Sequence, residues 1–255
     1  MKKWVLMVSA IAGMFISFVA NAQELRTFYV ASKSGLSIRE KPDAKASVIS
    51  KIPYGTKITI NTLKDDVQIN TEGITGYWVK TTFGGKTGYV VNSYLFPAPP
   101  PKATVKTMPE YMAQISQPFG GKLVVKNGAI YNIEEGGWQL QKQLYKNGAE
   151  WHEFRGYEYG SATYFIPDFT ISQGFLLLRL IPEFSELWTD KDEFPTTSKT
   201  IKKGETEYRI TVEKEGEEAS AWIKKISITF EEGASYTFEI YQLENQLVVF
   251  YGSGV

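Results

Sequence analysis

Apolar and polar residues alternate most regularly toward the end of the chain. Tyr208, Ile210 and Val212 alternate with Arg209, Thr211 and Glu213, and Ile226, Ile228 and Phe230 with Ser227, Thr229 and Glu231. Tyr236, Phe238 and Ile240 repeat the pattern, and Leu247 to Tyr251 closes it. A period of two sends successive side chains to opposite faces of a strand, so each run predicts a strand with one face on a core. Turns are expected at Glu231-Glu232-Gly233-Ala234 and Leu243-Glu244-Asn245-Gln246, which makes the last strands an antiparallel meander.

Upstream the pattern is coarser. Lys122–Lys126, Trp138–Tyr145 and Glu150–Tyr159 read as strands with glycine turns between them. Pro109–Ile115 fits a short helix with proline in its first turn. Thr170-Ile171-Ser172-Gln173 fits a capping box, in which Gln173 reaches back to the Thr170 amide. Ile171, Phe175, Leu178 and Ile181 follow at helical spacing until Pro182, with a buried strand through Phe175–Ile181 as the rival reading.

The first hundred residues hold shorter elements. Thr56–Ile60 alternates polar and apolar, while Tyr77–Lys80 and Lys86–Val91 flank the glycine turn Phe83-Gly84-Gly85. About five short strands in so few residues suit a small barrel that hides its own sheet edges. The stretch 97–104 then places four prolines in eight residues. Proline fixes φ and removes amide donors, so this stretch cannot join a sheet and is expected to be an extended, stiff spacer between two domains.

The residue order of the barrel segment, 28–96, carries a family resemblance. Gly35, Leu36, Ile38, Arg39 and Pro42 come first, then Gly55-Thr56, Trp78-Val79 and Gly88-Tyr89-Val90. In that order and spacing the segment resembles a bacterial SH3-like domain, a small barrel found on exported envelope proteins. Glu40-Lys41 stands where the family usually has Ser-Gly, and Asp65–Thr75 makes a longer polar loop than typical. The resemblance implies cell-envelope peptide or protein ligands, peptidoglycan included.

The start of the chain reads as a leader. Lys2 and Lys3 precede an apolar stretch from Trp4 to Val19, and Ala20-Asn21-Ala22 is the small-x-small pattern at which a signal peptidase cuts. Residues 1–22 are thus expected to be a signal peptide, cleaved between Ala22 and Gln23, leaving a periplasmic or extracellular protein. The competing reading is an uncleaved anchor, but the stretch falls short of the roughly 20 residues a span requires.

Loss of Lys2 and Lys3 leaves 26 basic against 28 acidic residues. Such a balance, without a basic block, argues against nucleic acid and anionic membrane surfaces as partners. There is no cysteine, so stability has to come from buried cores rather than disulfides.

Candidate chemistry is sparse. Enzymes that carry bacterial SH3-like domains often cut peptidoglycan with a cysteine–histidine pair, which a chain with one histidine and no cysteine cannot form. His152, in Glu150-Trp151-His152-Glu153, shares a strand face with Glu150 and not with Glu153. A zinc site needs more protein ligands than that. Glu134-Glu135, Asp190–Glu193 and Glu213–Glu218 hold enough carboxylates for glycoside hydrolysis but lie among turn residues, where charge keeps loops solvated. Gly120-Gly121-Lys122 lacks the first glycine and the Ser or Thr of a phosphate loop and reads as a turn leading into a strand.

Aromatic surface is what is left. Tyr54, Tyr77, Trp78, Tyr89 and Tyr94 are the ligand-binding candidates, because rings with polar tips bury area at low entropic cost. Tyr77 and Trp78 alternate faces, so one of them is expected in the barrel core.

The reading is of a mainly β protein: an N-terminal SH3-like small β-barrel at 23–96, a proline-rich linker at 97–104, and a C-terminal α+β domain with an antiparallel sheet at 105–255. It is expected to be a non-enzymatic binding protein without cofactor or metal. A glycan hydrolase acting through carboxylates of the second domain, and a structural or inhibitory envelope protein, stand as alternatives.

Overall fold

A computed structural model describes residues 25–61, 67–126, 137–217 and 221–255. The leader 1–22, Asp65 and Asp66 of the polar loop, Glu134-Glu135 and Glu218 lie outside the described residues.

The N-terminal barrel is built from β1 (Leu25–Val30), β2 (Leu36–Arg39), β3 (Val48–Ile52), β4 (Lys57–Asn61), β5 (Gln68–Thr71), β6 (Ile74–Phe83), β7 (Lys86–Val91) and β8 (Leu95–Phe96). Its strands run in the order β3-β2-β7-β6-β4-β1-β8, with β5 paired to β6. Alternation along the strands sends Val30, Ile38, Ile52, Ile58, Val79, Val90 and Leu95 into one buried cluster.

The larger domain continues with α1 (Met108–Ile115), β9 (Pro118–Lys126), β10 (Gln139–Tyr145), β11 (Glu150–Arg155), β12 (Tyr159–Pro167) and α2 (Ile171–Leu178). It ends with β13 (Lys199–Lys203), β14 (Thr206–Glu215), β15 (Trp222–Glu231), β16 (Ser235–Leu243) and β17 (Gln246–Gly254). These strands form one nine-stranded antiparallel sheet, ordered β13-β14-β15-β16-β17-β12-β11-β10-β9. The predicted meander is β14 to β17. Its last hairpin closes through the two-residue turn Glu244-Asn245, with Glu244 at φ 53°.

Both helices start as capping chemistry dictates. The Gln173 amide donates to the Thr170 hydroxyl at 3.3 Å and the Gln173 side chain accepts the Thr170 amide at 3.0 Å. Thr107 and Glu110 make the same reciprocal pair before α1. The segment after Thr170 is therefore helix and not the rival strand, and Pro182 opens a single 3-10 turn at Pro182–Phe184. Gly120 and Gly121 do not form a turn ahead of a strand. They lie inside β9 and form its bulge, where residues 120–122 stand against Gln143 alone, and Gly120 takes the φ of +71° that such an irregularity needs.

The two domains share a core. Ala31, Ile74 and Phe96 of the barrel belong to the same buried cluster as Tyr111, Phe169, Phe175, Trp188 and Phe238. Phe96 is fully buried, its ring 5.3 Å from that of Phe169 in an edge-on contact. Burying a ring of this size contributes roughly 1.5–3 kcal/mol. The proline-rich stretch accordingly does not hold the domains apart. Pro100 and Pro101 are buried, the Gln114 side chain donates to the Pro100 carbonyl at 3.0 Å, and the Tyr54 hydroxyl donates to the Pro101 carbonyl at 2.8 Å. Proline's missing amide suits this place, because only the carbonyls need partners and both receive one.

Candidate functional site

The structure distributes the five aromatic candidates of the barrel among different environments. Trp78 is 3% exposed and serves packing, while Tyr77 on the opposite face of β6 is half-buried, its amide donating to Asn92 Oδ1 at 2.8 Å. Tyr89 is half-buried on β7, paired across the sheet with Arg39 and Lys80. Tyr54 points at the linker, and burial pushes its pKa up to about 12. Tyr94 packs between the two cores. Burial, followed by the neighbouring Glu72 carboxylate, raises its pKa well above that of a free phenol. Tyr54 and Tyr94 therefore face the domain junction.

Two depressions open along that junction. The smaller, about 260 Å³, is lined by Ser32, Lys33, Glu72, Tyr94, Arg179 and Asp190 among others. Its charges are matched: Arg179 donates to Glu72 at 2.6 Å and also to the Asp190 carbonyl, and Lys33 meets the Asp190 carboxylate at 3.0 Å. An arrangement so fully paired fastens two domains and leaves little for a ligand.

The larger groove has a volume of about 900 Å³. Leu25 and Phe28 supply apolar surface from the barrel over the buried Ile60, Val79 and Leu95, and Asp168 and Gln173 rim it from the approach to α2. Gln173 is held in place twice, by the capping box and by donating its side-chain amide to the Leu95 carbonyl at 2.7 Å. An apolar floor with a few fixed polar groups is the usual composition of a binding site, and the volume is that of a peptide-sized ligand. Of the five aromatic candidates, Tyr94 lines the smaller cleft and none lines the larger groove among the described residues. The groove was not legible in the sequence, since one wall comes from between Leu25 and Pro97 and the other from between Asp168 and Gln173. On the α2 side, the capping-box pair Thr170 and Gln173 carried a local signal.

Elsewhere, charged groups are bound to one another. His152 Nε2 lies 2.9 Å from Glu150 Oε2 on one strand face, with its ring 4.9 Å from Phe165, and Glu153 on the other face pairs with Arg155 at 2.8 Å. Asp192 accepts the Thr189 amide at 2.7 Å and so shapes its own loop. Glu215 pairs with Lys224 at 3.2 Å. No group of three His, Asp or Glu side chains is placed to hold a metal among the described residues. No helix among them is long and apolar enough to cross a membrane.

No curated protein and no solved structure matches the chain. Residues 34–96 match the family model of the bacterial SH3 domain, the segment that folds as β2 to β8. Residues 25–33 extend it, because β1 pairs with both β4 and β8 and completes the barrel. The N-terminal barrel of this chain is a bacterial SH3 domain.

Proposed function

We propose that the chain is an exported, non-enzymatic binding protein that uses its bacterial SH3 domain to engage a peptide or protein ligand of the cell envelope. The observation that carries this reading is the match of 34–96 to that domain, together with the groove of about 900 Å³ beside it. A peptide lying in the groove would bury apolar side chains on Leu25 and Phe28 and find polar partners in Asp168 and Gln173. Domains of this family bind cell-wall components, which makes peptidoglycan stem peptides the first ligands to try.

The leader supports export: a basic start, an apolar stretch and Ala20-Asn21-Ala22 lead to a periplasmic or extracellular protein that begins at Gln23. The contact of His152 with Glu150 and the ion pair of Glu215 with Lys224 favour binding over hydrolysis.

The test is cosedimentation of the purified protein with isolated sacculi and with envelope protein extract. Retention on either, reduced by Thr27→Arg, which places a bulky cation at the exposed groove residue Thr27, is the expected result. Equal retention of the variant would remove the groove from the proposal. Release of soluble fragments from peptidoglycan would overturn its non-enzymatic part.

A further inference from the structure

On the core face of the nine-stranded sheet an aromatic row crosses four strands, from the buried Tyr208 and Phe230 to the half-buried Tyr236 and Tyr251. Tyr208 lies 4.6 Å from Phe230, Phe230 stacks on Tyr236 at 4.8 Å with the rings 7° from parallel, and Tyr236 stacks on Tyr251 at 6.2 Å. The 3-10 turn Pro182–Phe184 and the residues after it overhang this row. Between overhang and sheet is a narrow pocket of about 80 Å³, walled by Tyr164, Phe230 and Tyr251, with Ala162 leaving room at its base and Glu183 and Glu186 at its rim.

The two carboxylates stand at the mouth of an aromatic pocket without a cation of their own. Glu183 accepts the Met108 amide at 2.7 Å, but neither Glu183 nor Glu186 forms an ion pair among the described residues. Lys106, whose carbonyl accepts the Glu183 amide at 3.1 Å, turns its ammonium to the Ala103 carbonyl, while Lys203 donates to the carbonyls of Glu186 and Leu187 and lies 5.4 Å from the Tyr208 ring. Neither lysine pairs with the rim carboxylates, and Lys203 serves the outer end of the aromatic row. Tyr164, 3% exposed, makes no hydrogen bond through its hydroxyl among the described residues. Burial and the Glu183 charge both hold that phenol in its neutral form, and burial also raises the pKa of Glu183.

We infer that this pocket binds an alkylammonium group, the end of a lysine-type side chain on a peptide. Phe230 has both faces covered by Tyr208 and Tyr236, but the Tyr251 face turned away from Tyr236 is free to attract a cation through its quadrupole, and the two rim carboxylates supply charge-assisted acceptors at the mouth. The volume is far below the roughly 300 Å³ at which a site encloses a whole small ligand, so it admits a chain end and excludes a sugar ring. A diaminopimelate head, whose ammonium carries a carboxylate beside it, meets like charge at Glu183 and Glu186 and binds less well. The site lies in the second domain and does not depend on how the SH3 domain is used.

Titration of the purified protein with Nα-acetyl-lysine methylamide, followed through tyrosine ring signals in NMR, tests the assignment. Signals of Tyr164 and Tyr251 shift on titration, the Nε-acetylated probe leaves them in place, and a diaminopimelate amide binds more weakly than lysine. The pair E183Q with E186Q keeps the shape and removes the charge, and weakens binding about tenfold. Tyr251→Leu, which removes one ring wall, weakens it by a similar factor. Equal response to the acetylated probe, binding of diaminopimelate as tight as lysine, or an unchanged affinity in a glutamine variant that melts like the parent would each overturn the inference.

Discussion

Arg179 of α2's C-terminal end and Glu72 of the barrel meet at 2.6 Å, although the residues are 107 positions apart and belong to different domains. The Arg179 side chain is only 8% exposed and Glu72 41%. Arg179 also donates to the Asp190 carbonyl and lies 5.4 Å from the Phe175 ring. Removing the anion leaves a nearly buried guanidinium with one partner fewer, whereas removing the cation leaves a carboxylate that water can reach. Arg179→Ala is nevertheless the more damaging change, because it forfeits the carbonyl and ring contacts as well. Glu72→Gln is expected to cost about 1 kcal/mol, discounted for the exposure of the pair, and Arg179→Ala about 2–3 kcal/mol. Urea denaturation of both variants checks the order.

The turn that presents Glu72 makes a second prediction. Glu72 and Gly73 have φ of 53° and 79°, the positive values of a two-residue hairpin between β5 and β6. The Glu72 carbonyl accepts the Phe194 amide at 2.8 Å, and a Cβ on Gly73 would lie 2.6 Å from the Phe194 carbonyl oxygen. Backbone on both sides leaves no flexible atom to yield. Gly73→Ala is expected to destabilise by about 2 kcal/mol through strain at positive φ and the clash together. Gly84→Ala, at a similar φ with open space around it, should cost less, and thermal melts of the two separate the clash from the strain.

Elements set by local chemistry were readable from the sequence. The alternation of Ile226, Ile228 and Phe230 gave β15, and Thr170 with Gln173 gave the start of α2, because strand faces and capping boxes depend on residues a few positions apart. The SH3 domain was readable from the order of Gly35, Leu36, Arg39, Trp78 and Gly88. What joins the domains was not. Phe96 touches Phe169, and Tyr54 reaches Pro101, through contacts that no spacing announces. Proline composition suggested a spacer because it reports the absence of amide donors. It says nothing of whether the carbonyls are used. The rim carboxylates Glu183 and Glu186 were equally silent, since their meaning depends on aromatic residues from three distant strands.

Tyr54 ties stability to alkaline pH. Its pKa lies at about 12 in the folded protein against 10.0 for an ordinary tyrosine, because burial disfavours the phenolate. Above pH 10 the unfolded chain releases this proton while the folded chain keeps it, so the unfolded state binds fewer protons and stability falls as pH rises. The contribution is complete below pH 10 and is lost on the way to pH 12. Tyr94 is shifted in the same direction, also chiefly by burial, and adds to the loss. Tyr54→Phe is expected to be less stable than the parent at neutral pH by about 1 kcal/mol, for want of the hydrogen bond to Pro101, yet to decline less steeply in alkali. Melting curves of the two proteins across the alkaline range, with tyrosinate absorbance recorded in parallel, measure both effects.

A core that spans both domains has a consequence for cooperativity. Phe96 and Ile74 of the barrel are almost wholly buried in the cluster that holds Phe169, Phe175 and Phe238. If the barrel unfolded first, those residues would leave an apolar cavity against the larger domain, and Leu95 would cease to accept the Gln173 side chain that caps α2. Unfolding of either part therefore withdraws support from the other. The purified protein is expected to melt in one transition, with fluorescence and far-ultraviolet circular dichroism coinciding. Phe96→Ala removes a fully buried ring at the junction and should cost about 3–5 kcal/mol. In this variant the barrel and the larger domain lose their common ring, and the two probes should separate into two transitions. A parent that already melts in two steps, or a Phe96→Ala variant indistinguishable from it, would show that the shared cluster does not couple the domains.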